Sequence, residues 1–171
     1  MARNRDALAA RGIWYPDYSN IGKGSHYAHL GIVNALSEQH DKFSVEDATR
    51  FFADVVARAP DHDVTILSAE PFYRHIAYPE GGGIPRDPER YWRLRHDYIA
   101  RVRELFGAAD PEIVVVFRRQ VDYAPSLYQE HVKTTRYIRD FATWRREFWY
   151  HFDYLGQARA WAEAFGGISP L

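Results

Sequence analysis

Ile113-Val114-Val115-Val116-Phe117, running straight into Arg118-Arg119, is the stretch on which the fold reading turns. An unbroken apolar run of β-branched and aromatic residues reads as a buried central strand. Two guanidinium groups then stand at its C-terminal end, where open α/β sheets bind ligands. Ser126 follows eight residues after Arg118, near the start of the next helix. Unpaired N–H groups and the dipole of a helix start favour an anion. Arginine, hydroxyl and helix start on one strand–turn–helix predict a phosphate site.

Outward from that unit, helices and strands alternate. Residues 2–11 are expected to form a short helix stopped by Gly12, and Ile13-Trp14-Tyr15 a brief strand ended by Pro16. A polar loop from Asp17 to Gly24 leads into a helix expected from about Ser25 to Gln39. Ser44 with Asp47 makes a capping box for a helix through about Arg58, broken by Pro60-Asp61. Val64-Thr65-Ile66-Leu67 is a second strand, followed by a short helix around Glu70 to His75. Tyr78 to Asp87, with Gly81-Gly82-Gly83, is a loop and a candidate lid. Asp87-Pro88 caps a long helix to about Phe106, and helices of roughly 120–136 and 140–165 complete the chain.

This alternation predicts an α/β fold, a three-layer sandwich with a small parallel sheet flanked by many helices. Three clear strands make a thin sheet. The chain opens on a helix, and a further strand is expected where Gly166-Gly167-Ile168-Ser169-Pro170-Leu171 stands. Residues 1–171 are therefore read as a single domain, expected to be incomplete at both ends.

The bulk properties narrow the function classes. With 171 residues and 46% hydrophobic content, the chain supports one folded domain with a real core. A net charge of −1 offers no basic field for nucleic acid. The basic residues are almost all Arg, the lysines being Lys23, Lys42 and Lys133. Arg forks suit phosphate or carboxylate, and a coding bias explains the skew equally well. Zero cysteines exclude disulfides, thiolate nucleophiles and Cys-ligated zinc. No apolar run is long enough for a membrane span and no signal peptide is recognisable, so a soluble, cytoplasmic protein is expected.

The pattern strand–Arg118-Arg119-Gln120–x–Asp122–x–x–x–Ser126-Leu127-Tyr128 resembles bacterial sulfotransferases of the P-loop NTPase-like fold. Other segments resemble that family in the same order. Asn4 to Pro16 is similar to the end of its first helix and its second strand. Ser25-His26 is similar to its substrate-side segment, and Ile66-Leu67-Ser68-Ala69-Glu70 to its strand-end Ser-x-Glu. Phe141 through Leu155, Trp161 and Phe165-Gly166 are similar to its later helices. The resemblance implies 3′-phosphoadenosine 5′-phosphosulfate (PAPS) as donor, with Arg118 and Ser126 holding its 3′-phosphate. It also implies sulfuryl transfer to a hydroxyl or amine of a carbohydrate or small metabolite, without a metal. The family's phosphate loop, of Pro-Lys-x-Gly-Thr-Thr type, would lie before residue 1, and its last strand after residue 171. A catalytically inactive remnant, acting as an anion-binding or interaction module, is the alternative.

Each candidate has a plainer reading beside it. Arg118 either binds an anion or pairs with a carboxylate, and Arg119 either supports it or faces solvent. Pro125 stands inside the expected helix, or else marks Ser126 as an early helical residue. Glu70, just past a strand end, is the candidate base, or a first-turn Glu that favours the helix dipole. His26 is the rival base; with His29 three residues on it also has metal-ligand spacing, but no third ligand appears. Gly22-Lys23-Gly24-Ser25 lacks the phosphate-loop spacing and reads as a flexible loop, leaving Lys23 a weak anion role. Phe141, Trp144, Phe148, Trp149, Phe152, Tyr154, Leu155 and Trp161 recur mostly at helical spacing, as core residues do. Any part of that face without a partner sheet favours self-association.

Overall fold

The computed structural model describes residues 4–24, 29–37, 42–78 and 84–170. The fold is mixed α/β and mostly helical, with short parallel strand pairs. The chain divides into two compact units, Met1–Pro111 and Glu112–Leu171.

In the first unit the elements are α1 (Arg5–Ala9), β1 (Ile13–Trp14), α2 (Leu30–Ala35), α3 (Val45–Arg58), β2 (Val64–Thr65) and α4 (Pro88–Phe106). Helix α3 begins where the capping box places it. The Ser44 hydroxyl accepts from the Asp47 N–H at 3.1 Å, and the Asp47 carboxylate accepts from the Ser44 N–H at 3.0 Å. Helix α4 starts at Pro88 because Asp87 takes the Arg90 N–H at 2.7 Å. Ala48, Phe51, Phe52 and Val55 recur at helical spacing on α3, as do Tyr91, Tyr98, Ile99 and Val102 on α4. All eight are buried, together with Ile32 and Val33 from α2 and Leu36 just after it.

Strands β1 and β2 pair in parallel, Ile13 with Val64 and Trp14 with Thr65. Gly12 makes the entry to β1 possible. Its φ is +73°, and a Cβ there would lie 2.0 Å from Asp63 Oδ2. Its carbonyl accepts the N–H groups of Asp63 and Val64 at 3.1 and 3.3 Å, setting the register of the pair.

The second unit contains β3 (Val114–Val115), α5 (Gln120–Thr135), α6 (Phe141–Glu147), a 3-10 turn at Trp149–His151, α7 (Tyr154–Phe165) and β4 (Ser169–Pro170). The expected further strand after Gly167 is thus β4, parallel to β3. The core is largely aromatic. Of the residues expected there from helical spacing, Trp144 and Trp161 are buried and Phe148, Trp149, Phe152 and Tyr154 half-buried, whereas Phe141 and Leu155 are exposed. Ala124, Leu127 and Trp144 form its centre, with Tyr123, Tyr128, Tyr137, Phe148 and Phe152 packed around them.

The structure corrects two readings here: the helix expected over 140–165 is broken into α6, the Trp149–His151 turn and α7, and the strand expected at 113–117 is shorter and more exposed. Residues 113–117 do not form a buried central strand. The ladder spans only Val114–Val115, and exposure alternates along the run, reaching 51% at Val114 and 70% at Val116. Successive side chains of a strand point to opposite faces, and here Ile113, Val115 and Phe117 take the more covered face while Val114 and Val116 take the exposed one. Among the described residues only β4 extends the ladder, on one edge.

Candidate anion-binding site

Arg118 and Arg119 lie in the turn between β3 and α5, and three contacts pin that turn to the start of α7. The Phe117 ring stacks on Tyr154 with centroids 4.6 Å apart. The Tyr154 hydroxyl donates to the Arg118 carbonyl at 2.7 Å, and the Gln120 side-chain amide donates to the Phe152 carbonyl at 2.8 Å. Tyr154 is a site residue the motif does not contain. It stands 36 residues from Arg118, and no spacing rule connects them.

The two arginines differ in commitment. Arg119 is the N-cap of α5, and its guanidinium holds the Asp122 carboxylate with two contacts of 2.8 Å. Both partners are exposed, so the pair contributes about 0.5 kcal/mol and is readily exchanged for another anion. Arg118 is exposed and has no ion pair among the described residues. Its charge acts on the Tyr154 phenol. Burial raises the Tyr154 pKa, and the nearby guanidinium pulls it partly back.

Ser126 is the seventh residue of α5, an exposed position about 9 Å along the axis from the first helical residue. It therefore lies beyond the first-turn N–H groups, and Pro125 is inside the helix. Asp122 and Ser126, four apart, share a helix face with Arg119. The turn thus offers one uncommitted guanidinium and one weakly committed. The carboxylate that holds the second would compete with an incoming anion.

Glu70 belongs to the first unit. It opens a 3-10 turn, Glu70–Tyr73, just after β2, with its side chain 72% exposed and 3.8 Å from Arg74. The turn is held from beneath. Arg95, wholly buried, donates to the carbonyls of Phe72, Tyr73 and His75 at 2.6, 2.9 and 2.6 Å. His29 ties the same region to β1. Its Nδ1 accepts the Ser68 N–H at 2.9 Å and its Nε2 donates to the Pro16 carbonyl at 3.0 Å. With both nitrogens engaged, His29 has no lone pair for a metal. Burial lowers its pKa, keeping the ring neutral.

Lys23 is spent on structure. It lies 3.3 Å from the Asp47 carboxylate and donates to the Lys42 carbonyl at 3.1 Å. His26 and the Gly81-Gly82-Gly83 lid fall outside the described residues. Among those residues no helix is long and apolar enough to cross a membrane. No family model, curated protein or solved structure matches the chain.

Proposed function

We propose that the chain is a sulfotransferase-like domain of the P-loop NTPase-like, three-layer kind, using PAPS as donor. Arg118 would take the donor's 3′-phosphate, with Arg119 recruited from Asp122 and Ser126 contributing its hydroxyl. The observation that carries this reading is the uncommitted guanidinium of Arg118 at a strand end, its backbone fixed by Tyr154. A preset main chain lowers the ordering cost of binding, and a guanidinium fork matches phosphate geometry.

In the proposed reaction an acceptor hydroxyl or amine attacks sulfur in line. The new O–S or N–S bond forms as the bond from sulfur to the 5′-phosphate oxygen breaks. The electron pair of the broken bond leaves on adenosine 3′,5′-bisphosphate. Glu70 takes the acceptor's proton, with His26 as the rival base. The turn carrying Glu70 suits that role because the Arg95 clamp fixes its backbone while the carboxylate stays exposed.

A second reading, an anion-binding or protein-interaction module without catalysis, is favoured by the open apolar face of β3. Calorimetry with adenosine 3′,5′-bisphosphate tests the donor site. The wild-type chain is expected to bind, and Arg118→Ala to bind at least about tenfold more weakly, the loss of one charge-assisted contact. Arg119→Ala should cost less, because that residue must first leave Asp122. Absence of heat at millimolar nucleotide would sink the donor reading.

A further inference from the structure

Strand β3 carries an unpaired edge whose charges match an inverted copy of itself. In its ladder with β4, Ser169 donates to the Ile113 carbonyl at 2.8 Å, and Val114 stands opposite Ser169. In that parallel pattern the backbone groups of Ile113 and Val115 face β4. Those of Val114, and by alternation Val116, face the other edge. Among the described residues nothing pairs with them there. Natural proteins usually blunt such an edge with proline, lysine or a covering segment. The run from Ile113 to Phe117 contains neither residue.

The flanking charges select the occupant. Glu112 and Arg118 lie symmetrically about Val115, and both are exposed, as are Val114 and Val116 between them. A two-fold axis through Val115 would set two antiparallel strands edge to edge. Val114 would then oppose Val116 of the second copy as a hydrogen-bonded pair, and Glu112 would oppose its Arg118, twice by symmetry. Opposite charges directly across an antiparallel pair stabilise it, whereas a parallel copy in register brings like charges together. Glu112 Oε1 already accepts from the Ser169 hydroxyl at 2.5 Å, which leaves Oε2 for the guanidinium. Arg118 has no ion pair of its own among the described residues.

We infer that β3 is the interface of a two-fold homodimer, joined by antiparallel Val114–Val116 pairing and locked by reciprocal Glu112–Arg118 contacts. The dimer does not depend on the sulfuryl-transfer reading, although both would use Arg118. So short an edge is at the small end of interface sizes, so association is expected to be weak and is to be sought between about 1 µM and about 1 mM of chain.

Sedimentation velocity on the full chain across that concentration range should show the mass doubling. Glu112→Arg or Arg118→Glu alone sets like charges face to face, and each should weaken association about tenfold or more. The double variant Glu112→Arg/Arg118→Glu should restore it. Amide exchange supplies a second readout that needs no substitution, with Val114 and Val116 gaining protection as concentration rises. A monomer at all concentrations overturns the inference, as does a double variant that associates no better than the single ones. A monomer whose Val114 and Val116 amides are already protected also overturns it, since another segment of the chain then covers the edge.

Discussion

His75 and Arg95 show how single side chains set the condition dependence of the first unit. The His75 ring donates from Nε2 to the Asn34 side-chain oxygen at 2.6 Å, while its Nδ1 is buried without a partner. Burial, then the charges of Arg74 and Arg95, hold its pKa down at about 3. The unfolded chain protonates it near 6.5, so between those values the unfolded state binds more protons. Stability is therefore full above about pH 6.5 and falls as pH drops toward about 3. His75→Gln should flatten urea midpoints between about pH 6.5 and about pH 4, with the residual slope there left to His29. An unchanged slope would show that His75 is not held neutral. Arg95 acts through geometry. Arg95→Met leaves three carbonyls in a dry interior without donors, at about 1–3 kcal/mol for each that finds no water. A loss of at least about 3 kcal/mol is expected in urea unfolding, and Arg95→Lys should recover little, since one ammonium cannot reproduce the planar fork. Neither role was visible in the sequence: Arg95 is one arginine among many on α4, and its acceptors lie about twenty residues earlier in the chain.

At the scale of elements, what was legible followed local chemistry. The capping box at Ser44 and the Asp87-Pro88 start foretold α3 and α4 closely, because the side chains that begin those helices bond within three residues. Ser44→Ala should therefore cost about 1 kcal/mol, read as a lower thermal midpoint with unchanged far-UV signal at 20 °C. The partner carboxylate adds an acid limit. The Ser44 N–H, with Arg50 and Lys23 beside it, holds the Asp47 pKa down at about 2. That contribution is present above about pH 4 and fades as pH falls through 2. Strands were less legible, since a strand's extent depends on neighbours distant in sequence. Five apolar residues at 113–117 made a ladder of two, because β4 supplies only Ser169 and Pro170 on one side. The same cause limited the site reading. Arg118 was recognisable at a strand end, but the Tyr154 hydroxyl that fixes it comes from another helix.

Across the whole molecule, the proposed nucleotide site and the inferred dimer draw on one cation. Arg118 cannot serve both a phosphate and the second copy's Glu112. Millimolar adenosine 3′,5′-bisphosphate should therefore shift sedimenting dimer toward monomer, while sodium chloride of equal ionic strength shifts it less. An equal shift would reduce the effect to screening. Each unit also closes its own parallel pair, β1 with β2 and β3 with β4, and this orders events on the ribosome. The first sheet closes once Val64 and Thr65 emerge. Val114, by contrast, waits for Ser169, some 55 residues later. At about 5–20 residues per second of synthesis, that leaves an apolar strand bare on both edges for about 3–11 s. During that interval a nascent chain is most open to mispairing with its neighbours on the same message, and chaperone dependence should concentrate there.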